Sequence, residues 1–251
     1  LAEGWHRVAI PPGARMVDEG VYDLWMAKDN RGRDVQGFMF VHGRPEFSHN
    51  PGHGKGGSNG GSCFAYLAKN AKWKTVEDYL VDPTNGEGIS GGTVSSIVAG
   101  GVAKWEDAAD GTVDGAGVNI MGNEVGGVVD GADEVSPDNK NEVMWGDIAS
   151  PGAIAVTIVW GYFGGPPPTR ELVEWDQVYD QVDFDWSAEA GGVAGMMDLD
   201  NIVSHEHGHA FGMGHPESTC VDETMYAFAG NGETKKRDLN PGDINGISGL
   251  Y

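Results

Sequence analysis

The segment His205–His215, HEHGHAFGMGH, gathers four of the chain's eight histidines into one short stretch. His205 and His209 are four residues apart, so a helix through them stacks both imidazoles on one face, about one turn from each other. Two nitrogens so placed can hold one tetrahedral zinc ion. Glu206 points about 100° around that helix, beside the metal rather than onto it. A carboxylate there can take a proton from a water that the metal activates. Gly212 adopts positive φ at little cost, so it can end the helix and turn the chain sharply. The turn brings His215 back as a third ligand, leaving one position open as a catalytic zinc requires. His207 points away from the metal and reads as a solvated helix residue. Asp198 is a suitable N-cap for this helix, whose apolar face is Leu199, Ile202 and Val203.

The remaining sequence must supply a scaffold for that helix. Ser90 to Ala109 follows the helical period, with Val94, Ile97, Val98, Gly101, Trp105 and Ala108 forming one apolar stripe. Val35–His42, Lys72–Val81, Val118–Met121 and Ala153–Trp160 read as strands, and Glu171–Trp186 holds another. Gly122–Asn141 reads as loop, and Asn240-Pro241 opens a short C-terminal helix. Strands mixed with three helices predict an α+β fold with a twisted mixed sheet. A glycine-rich stretch, His49–Ser62, sets a boundary near residue 62. Residues 1–62 are therefore expected to be an N-terminal extension or prosegment-like arm, and 63–251 the catalytic domain. The net charge of −22 would repel nucleic acid and anionic membranes, and no apolar run reaches the roughly 18 residues of a membrane span. His6, His42, His49 and His53 are isolated and read as solvated, although His49 and His53 lie in the glycine linker and can reach a metal.

The motif His205–His215 resembles the HExxHxxGxxH signature of metzincin metalloendopeptidases. Glu223-Thr224-Met225-Tyr226-Ala227 is similar to the methionine turn of that clan, with Met225 as an apolar floor under the imidazoles. Ala227 stands where astacins and serralysins carry a zinc-binding tyrosine. That arrangement, the Gly242–Tyr251 segment and the Ser90–Ala109 helix resemble matrixins of the archaeal and bacterial type, while Pro216 after the third histidine is more serralysin-like. The resemblance covers roughly residues 63–251. It implies a secreted zinc endopeptidase acting on protein or peptide substrates, with His205, His209 and His215 as ligands and Glu206 as the base, and a monomer is expected.

Extended substrates pair with an exposed strand edge. The resemblance points to Ala153–Trp160 for this, hence to Ile154, Ala155 and Val156, although the continuous apolar run also fits a buried central strand. Tyr226, Ala227 and Phe228 are expected to line the primed-side pocket. Cys63 and Cys220 are read as a disulfide that closes a long loop. The alternatives are two free thiols, or a cysteine switch with Cys63 on the metal, whose matrixin context PRCGxPD is missing here. Structural calcium is implied by the resemblance, and loops at Asp130, Asp133 and Asp138, or at Asp180, Asp183 and Asp185, supply hard oxygen ligands. A solvated acidic surface explains the same residues. Two rivals to the active protease stay open: a latent form with residues 1–62 blocking the cleft, and a non-catalytic zinc-binding module.

Overall fold

The computed structural model describes residues 5–47, 63–113, 115 and 117–251. His49 and His53 lie outside the described residues, as does the linker that sets the expected boundary.

Twelve strands and three α-helices are formed by the described residues. The strands are β1 (His6–Val8), β2 (Arg15–Asp18), β3 (Val21–Lys28), β4 (Asp34–Gly43), β5 (Ala65–Tyr66), β6 (Leu80–Val81), β7 (Glu142–Ile148), β8 (Ala153–Tyr162), β9 (Glu171–Asp180), β10 (Trp186–Ser187), β11 (Met197–Asp198) and β12 (Met213–Gly214). The helices are α1 (Gly91–Ala108), α2 (Leu199–Ala210) and α3 (Pro241–Leu250). Eight strands form one twisted mixed sheet in the order β1-β7-β9-β8-β4-β3-β2, with β6 also on β7. β7 and β9 run parallel, whereas β8 is antiparallel to both its neighbours, β9 and β4.

Capping fixes the helix starts. The Thr93 amide donates to Ser90 Oγ at the start of α1 (3.1 Å), and the Asn201 amide donates to Asp198 Oδ1 at the start of α2 (2.9 Å). Asn240 and Asp243 complete a capping box on α3. The helices cover one face of the sheet. Val94, Val98 and Trp105 of α1 and Ile202 and Val203 of α2 pack there with Ala155, Val159 and Trp175. A second core occupies the opposite face, where Val8, Leu24, Val35 and Met39 meet Val156, Ile158 and Val178.

Residues 6–43, an arm in sequence, thus supply β1 to β4 and a third of the buried residues of that second core. Val8, Leu24, Val35, Met39 and Phe40 are all at most 3% exposed. Each such burial contributes roughly 1.5–3 kcal/mol, so the arm is firmly docked.

Three expected strand features change. Only Leu80–Val81 of the 72–81 segment is a strand, because its aromatic side chains anchor an irregular path: Trp73 Nε1 donates to the Ala210 carbonyl at the end of α2 (2.9 Å). Residues 118–121 are not a strand either, since the Ile120 and Met121 amides donate to Glu106 Oε1 (2.7 and 2.8 Å) instead of to a neighbouring strand. Most consequentially, β8 is not an edge. Ala155 pairs with Tyr179 on one side and His42 on the other, and Val156 with Val178 and Val41. Ile154, Ala155 and Val156 are buried, and the backbone flanked by β9 and β4 offers no free ladder to a substrate. The unbroken apolar run reflects two covered faces.

Cys63 and Cys220 are joined by a disulfide, closing a sequence separation of 157 residues. The bridge excludes a thiol on the metal and ties the chain ahead of β5 to the loop after His215. Replacing Cys220 with serine is expected to lower unfolding free energy in urea by about 2–5 kcal/mol. Equal stability of Cys220→Ser and the wild type would show that the bridge does not constrain the fold.

Candidate active site

α2 presents His205 and His209 on one face, and the turn at Gly212 (φ +99°) sends the chain back so that His215 joins them. Each ring is oriented by a backbone carbonyl. His205 Nδ1 donates to the Thr224 carbonyl (2.7 Å) and His209 Nδ1 to that of Met213 (3.0 Å). Carbonyls only accept, so both Nδ1 atoms carry the proton and both Nε2 atoms are bare lone pairs. Those two Nε2 atoms lie 3.1 Å apart. The His215 Nε2 is buried and has no hydrogen-bond partner. The three ring ligand nitrogens lie within 4.8 Å of one another. Three neutral imidazoles aiming lone pairs at one point suit a cation of the zinc type. Burial also holds all three rings neutral, pushing the His215 pKa down to about 3 and the other two well below the usual value.

Beneath the imidazoles lies Met225, fully buried. A Cβ at position 208 would overlap the Met225 sulfur and the Trp105 ring, so glycine is required there for the helix to approach the floor. The methionine turn is itself held from the C-terminal helix. Asp243 of α3 accepts from the Thr224 amide (2.7 Å) and the Met225 amide (3.1 Å). From the other side, the buried Lys236 Nζ donates to the carbonyls of Thr224 (3.0 Å) and Tyr226. Desolvation pushes the Lys236 pKa down to about 7.

Glu206 is fully buried, with both oxygens engaged. Thr157 Oγ1 of β8 donates to Oε2 (2.6 Å), and His42 Nδ1 of β4 lies 2.9 Å from Oε1. Burial pushes the carboxyl up to about 8, against the lowering effect of the Thr157 hydrogen bond. His42 also packs on His205, ring centroids 3.9 Å apart, and Phe40 stacks on His209 at 3.9 Å. The His42 Nε2 is buried without a hydrogen-bond partner. The Glu19 backbone, in the turn between β2 and β3, hydrogen-bonds the His215 ring.

Tyr226, Ala227 and Phe228 follow Met225 on the same side of the site. Ala227 and Phe228 line a small cavity with Gly43 at the end of β4, Arg44 after it and Gly152 before β8.

A second group that can hold a cation lies on the opposite face of the sheet. Asp133, Glu174 and Asp176 bring carboxylate oxygens within 4.8 Å of one another. Glu174 and Asp176 are almost wholly buried, and Glu174 Oε1 and Asp133 Oδ2 have no hydrogen-bond partner. Desolvation and mutual repulsion raise the Glu174 pKa to about 11. Of the acidic residues expected at a calcium site, only Asp133 is in this group. Asp130 and Asp138 pair with Lys140 (2.7 and 2.5 Å). Asp180 accepts from the Val182 and Asp183 amides.

Three residues that touch the site escape a sequence reading. His42 is buried rather than solvated. Its only signal is the alternation Phe38, Phe40, His42, which places it on the face of β4 that turns toward α2. Thr157 is the single polar residue in an apolar run. Lys236 lies in a basic trio with nothing to mark it. His207 is a correction in the other sense. It is fully buried between α1, where a Cβ on Gly101 would touch it, and the Trp175 ring (centroids 5.7 Å), and its Nδ1 donates to the Val203 carbonyl (2.9 Å).

A family model described as matrixin, Peptidase M10, matches residues 79–251. No curated protein matches the chain at a significant level.

Burial lowers the His207 pKa from 6.5 to about 4. A depressed folded-state value contributes stability that is complete above pH 6.5 and is lost as pH falls toward 4. Relative to a His207→Leu variant, the wild type should lose roughly 3 kcal/mol across that window. Urea unfolding at stepped pH measures this, and parallel pH profiles for the two proteins would contradict it.

Proposed function

Since the chain belongs to the matrixin family and is thus a zinc-dependent metalloendopeptidase, we propose that His205, His209 and His215 are its zinc ligands and Glu206 its general base. The observation that carries the ligand assignment is the pair of bare Nε2 atoms 3.1 Å apart, each fixed by a carbonyl on the far side of its ring. Two facing lone pairs repel unless a cation lies between them.

Bound zinc supplies a Lewis acid for the scissile carbonyl and lowers the pKa of water to about 7. Glu206 takes the proton of the attacking water on one oxygen and passes it to the departing amine. Thr157 holds the other oxygen and so fixes the carboxylate plane. Met225 and Gly208 set the height of the helix, while Asp243 holds Thr224 by its amide and Lys236 holds the Thr224 carbonyl that orients His205. Tyr226, Ala227 and Phe228 form the wall against which a peptide lies. The retention of Glu206 argues against a module that only binds zinc. A fully buried carboxylate opposes folding, and three imidazoles hold a metal without it.

The substrates are extended peptide segments of proteins. The protein acts as a secreted monomer, in keeping with the disulfide, which persists in oxidising compartments. Calcium fits the trio of half-buried Asp133 with buried Glu174 and Asp176, because hard carboxylate oxygens suit it and two of those oxygens have no hydrogen-bond partner.

Glu206→Ala is expected to keep one zinc per chain and to lose about 10²–10⁴-fold in cleavage of a peptide library followed by mass spectrometry. Undiminished cleavage would reject Glu206 as the base. Calcium at 100 times its dissociation constant should stabilise the wild type by about 2.7 kcal/mol and leave Glu174→Gln unchanged in thermal unfolding. An equal response of the two proteins would remove the calcium assignment.

A further inference from the structure

Given the calcium reading of Asp133, Glu174 and Asp176, on which this inference rests, we infer that the ion is the fastener of the first strands. It fixes residues 133–139 against β9, and those residues carry hydrogen bonds that hold the end of β1, β3 and the turn between β3 and β4.

Segment 133–139 contains no helix or strand, so side chains hold it in place. On one side these are the carboxylates of β9. The Asp133 amide donates to Asp176 Oδ2 (2.8 Å), and the Asn139 amide donates to Glu174 Oε2. Trp160 of β8 adds a third hold, with Nε1 donating to the Asp133 carbonyl (2.8 Å). On the other side the segment meets the first strands at three separate points. The Ala9 amide, just past β1, donates to Glu134 Oε1 (2.8 Å). Trp25 Nε1 of β3 donates to the Val135 carbonyl (2.9 Å). The Asn30 amide, in the turn after β3, donates to Asn139 Oδ1 (3.2 Å). Asn139 therefore spans the gap by itself, with its amide on β9 and its side chain on the turn. Its φ of +69° is left-handed, a conformation that asparagine adopts more readily than most residues.

The trio decides how firmly this bracket is closed. Its ligand oxygens lie within 4.8 Å of one another, and Glu174 and Asp176 are at most 2% exposed. Glu174 Oε2 is taken up by the Asn139 amide, and Oε1, the oxygen left for the trio, is buried with no hydrogen-bond partner among the described residues. Lys140 does not neutralise the group, because it pairs with Asp130 and Asp138. Carboxylates so close and so dry repel one another. Without a cation they stay together by taking up protons, in keeping with a Glu174 pKa pushed up to about 11. Calcium takes the place of those protons and binds several carboxylates at once. Residue 133 is then drawn to β9 through its own side chain, and residue 139 through Glu174.

The test uses the zinc-loaded full chain with calcium and terbium as probes. Terbium is a hard trivalent stand-in for calcium that luminesces when a nearby tryptophan is excited, and the Trp160 indole lies against Asp133. It should luminesce in the wild type and be displaced by calcium. Saturating calcium should slow amide hydrogen exchange at Ala9, Asn30 and Asn139 roughly tenfold, while amides within α1 keep their rates. Glu174→Gln is neutral and of the same size, and so mimics the protonated carboxyl. It should show neither the luminescence nor the slowing, and Asp133→Asn gives the same comparison if Glu174→Gln does not fold. Terbium displaced by calcium with exchange at Ala9 and Asn30 unchanged would overturn the inference and leave the calcium site standing, as would equal slowing in a variant that has lost the luminescence. Luminescence that is absent, or equal in wild type and variant, would remove the calcium reading and the inference with it.

Discussion

Two imidazole nitrogens held face to face, 3.1 Å apart with no proton between them, are the constraint around which the molecule is arranged. Left alone, such a pair would turn apart. It is kept together because each ring is pinned from behind, His205 by the Thr224 carbonyl and His209 by that of Met213. The pins are themselves pinned. Thr224 is held through its amide by Asp243 on the C-terminal helix and through its carbonyl by the buried Lys236. Met213 belongs to β12, which pairs with β5, and the disulfide fastens the chain just ahead of β5. Residues scattered over most of the chain therefore converge on the orientation of two rings. Such outer contacts set both the tautomer and the direction of a ligand, and losing one typically costs about 10–100-fold in metal affinity.

The sheet serves the same end from the other side. α2 crosses over β8 and β9, and Thr157 donates its hydroxyl from the sheet to the carboxylate. The arm adds β4 beyond β8, burying Phe40 and His42 over the site on one face and Val35 and Met39 in a separate core on the other. A strand secured by packing on both faces is an integral part of the sheet.

Much of the site was legible in the sequence, for a physical reason. The ligand spacing, the helix cap at Asp198, the turn at Gly212 and the helix start at Asn240-Pro241 all depend on residues near one another in the chain, where geometry follows from spacing. The helix Gly91–Ala108 was legible through its apolar period. What depends on contacts distant in sequence was not. Strand β8 carries the apolar run of an internal strand, and nothing in that run says that residues 34–43 will supply its second neighbour. His42 and Glu206 are 164 residues apart and meet only through that pairing. Lys72–Val81 has the composition of a strand, but Trp73 is drawn to the end of α2 and the segment forgoes a ladder. His207 looked solvated because the helix was expected to expose one face, whereas α1 covers it.

Metal-edge X-ray absorption on the zinc-loaded full chain bears most directly on whether those rings grip the ion. The account predicts one zinc per chain in a shell containing three imidazoles, reduced to two when His215 is replaced by alanine. A shell of carboxylate oxygens, or a spectrum unaltered by His215→Ala, would contradict it.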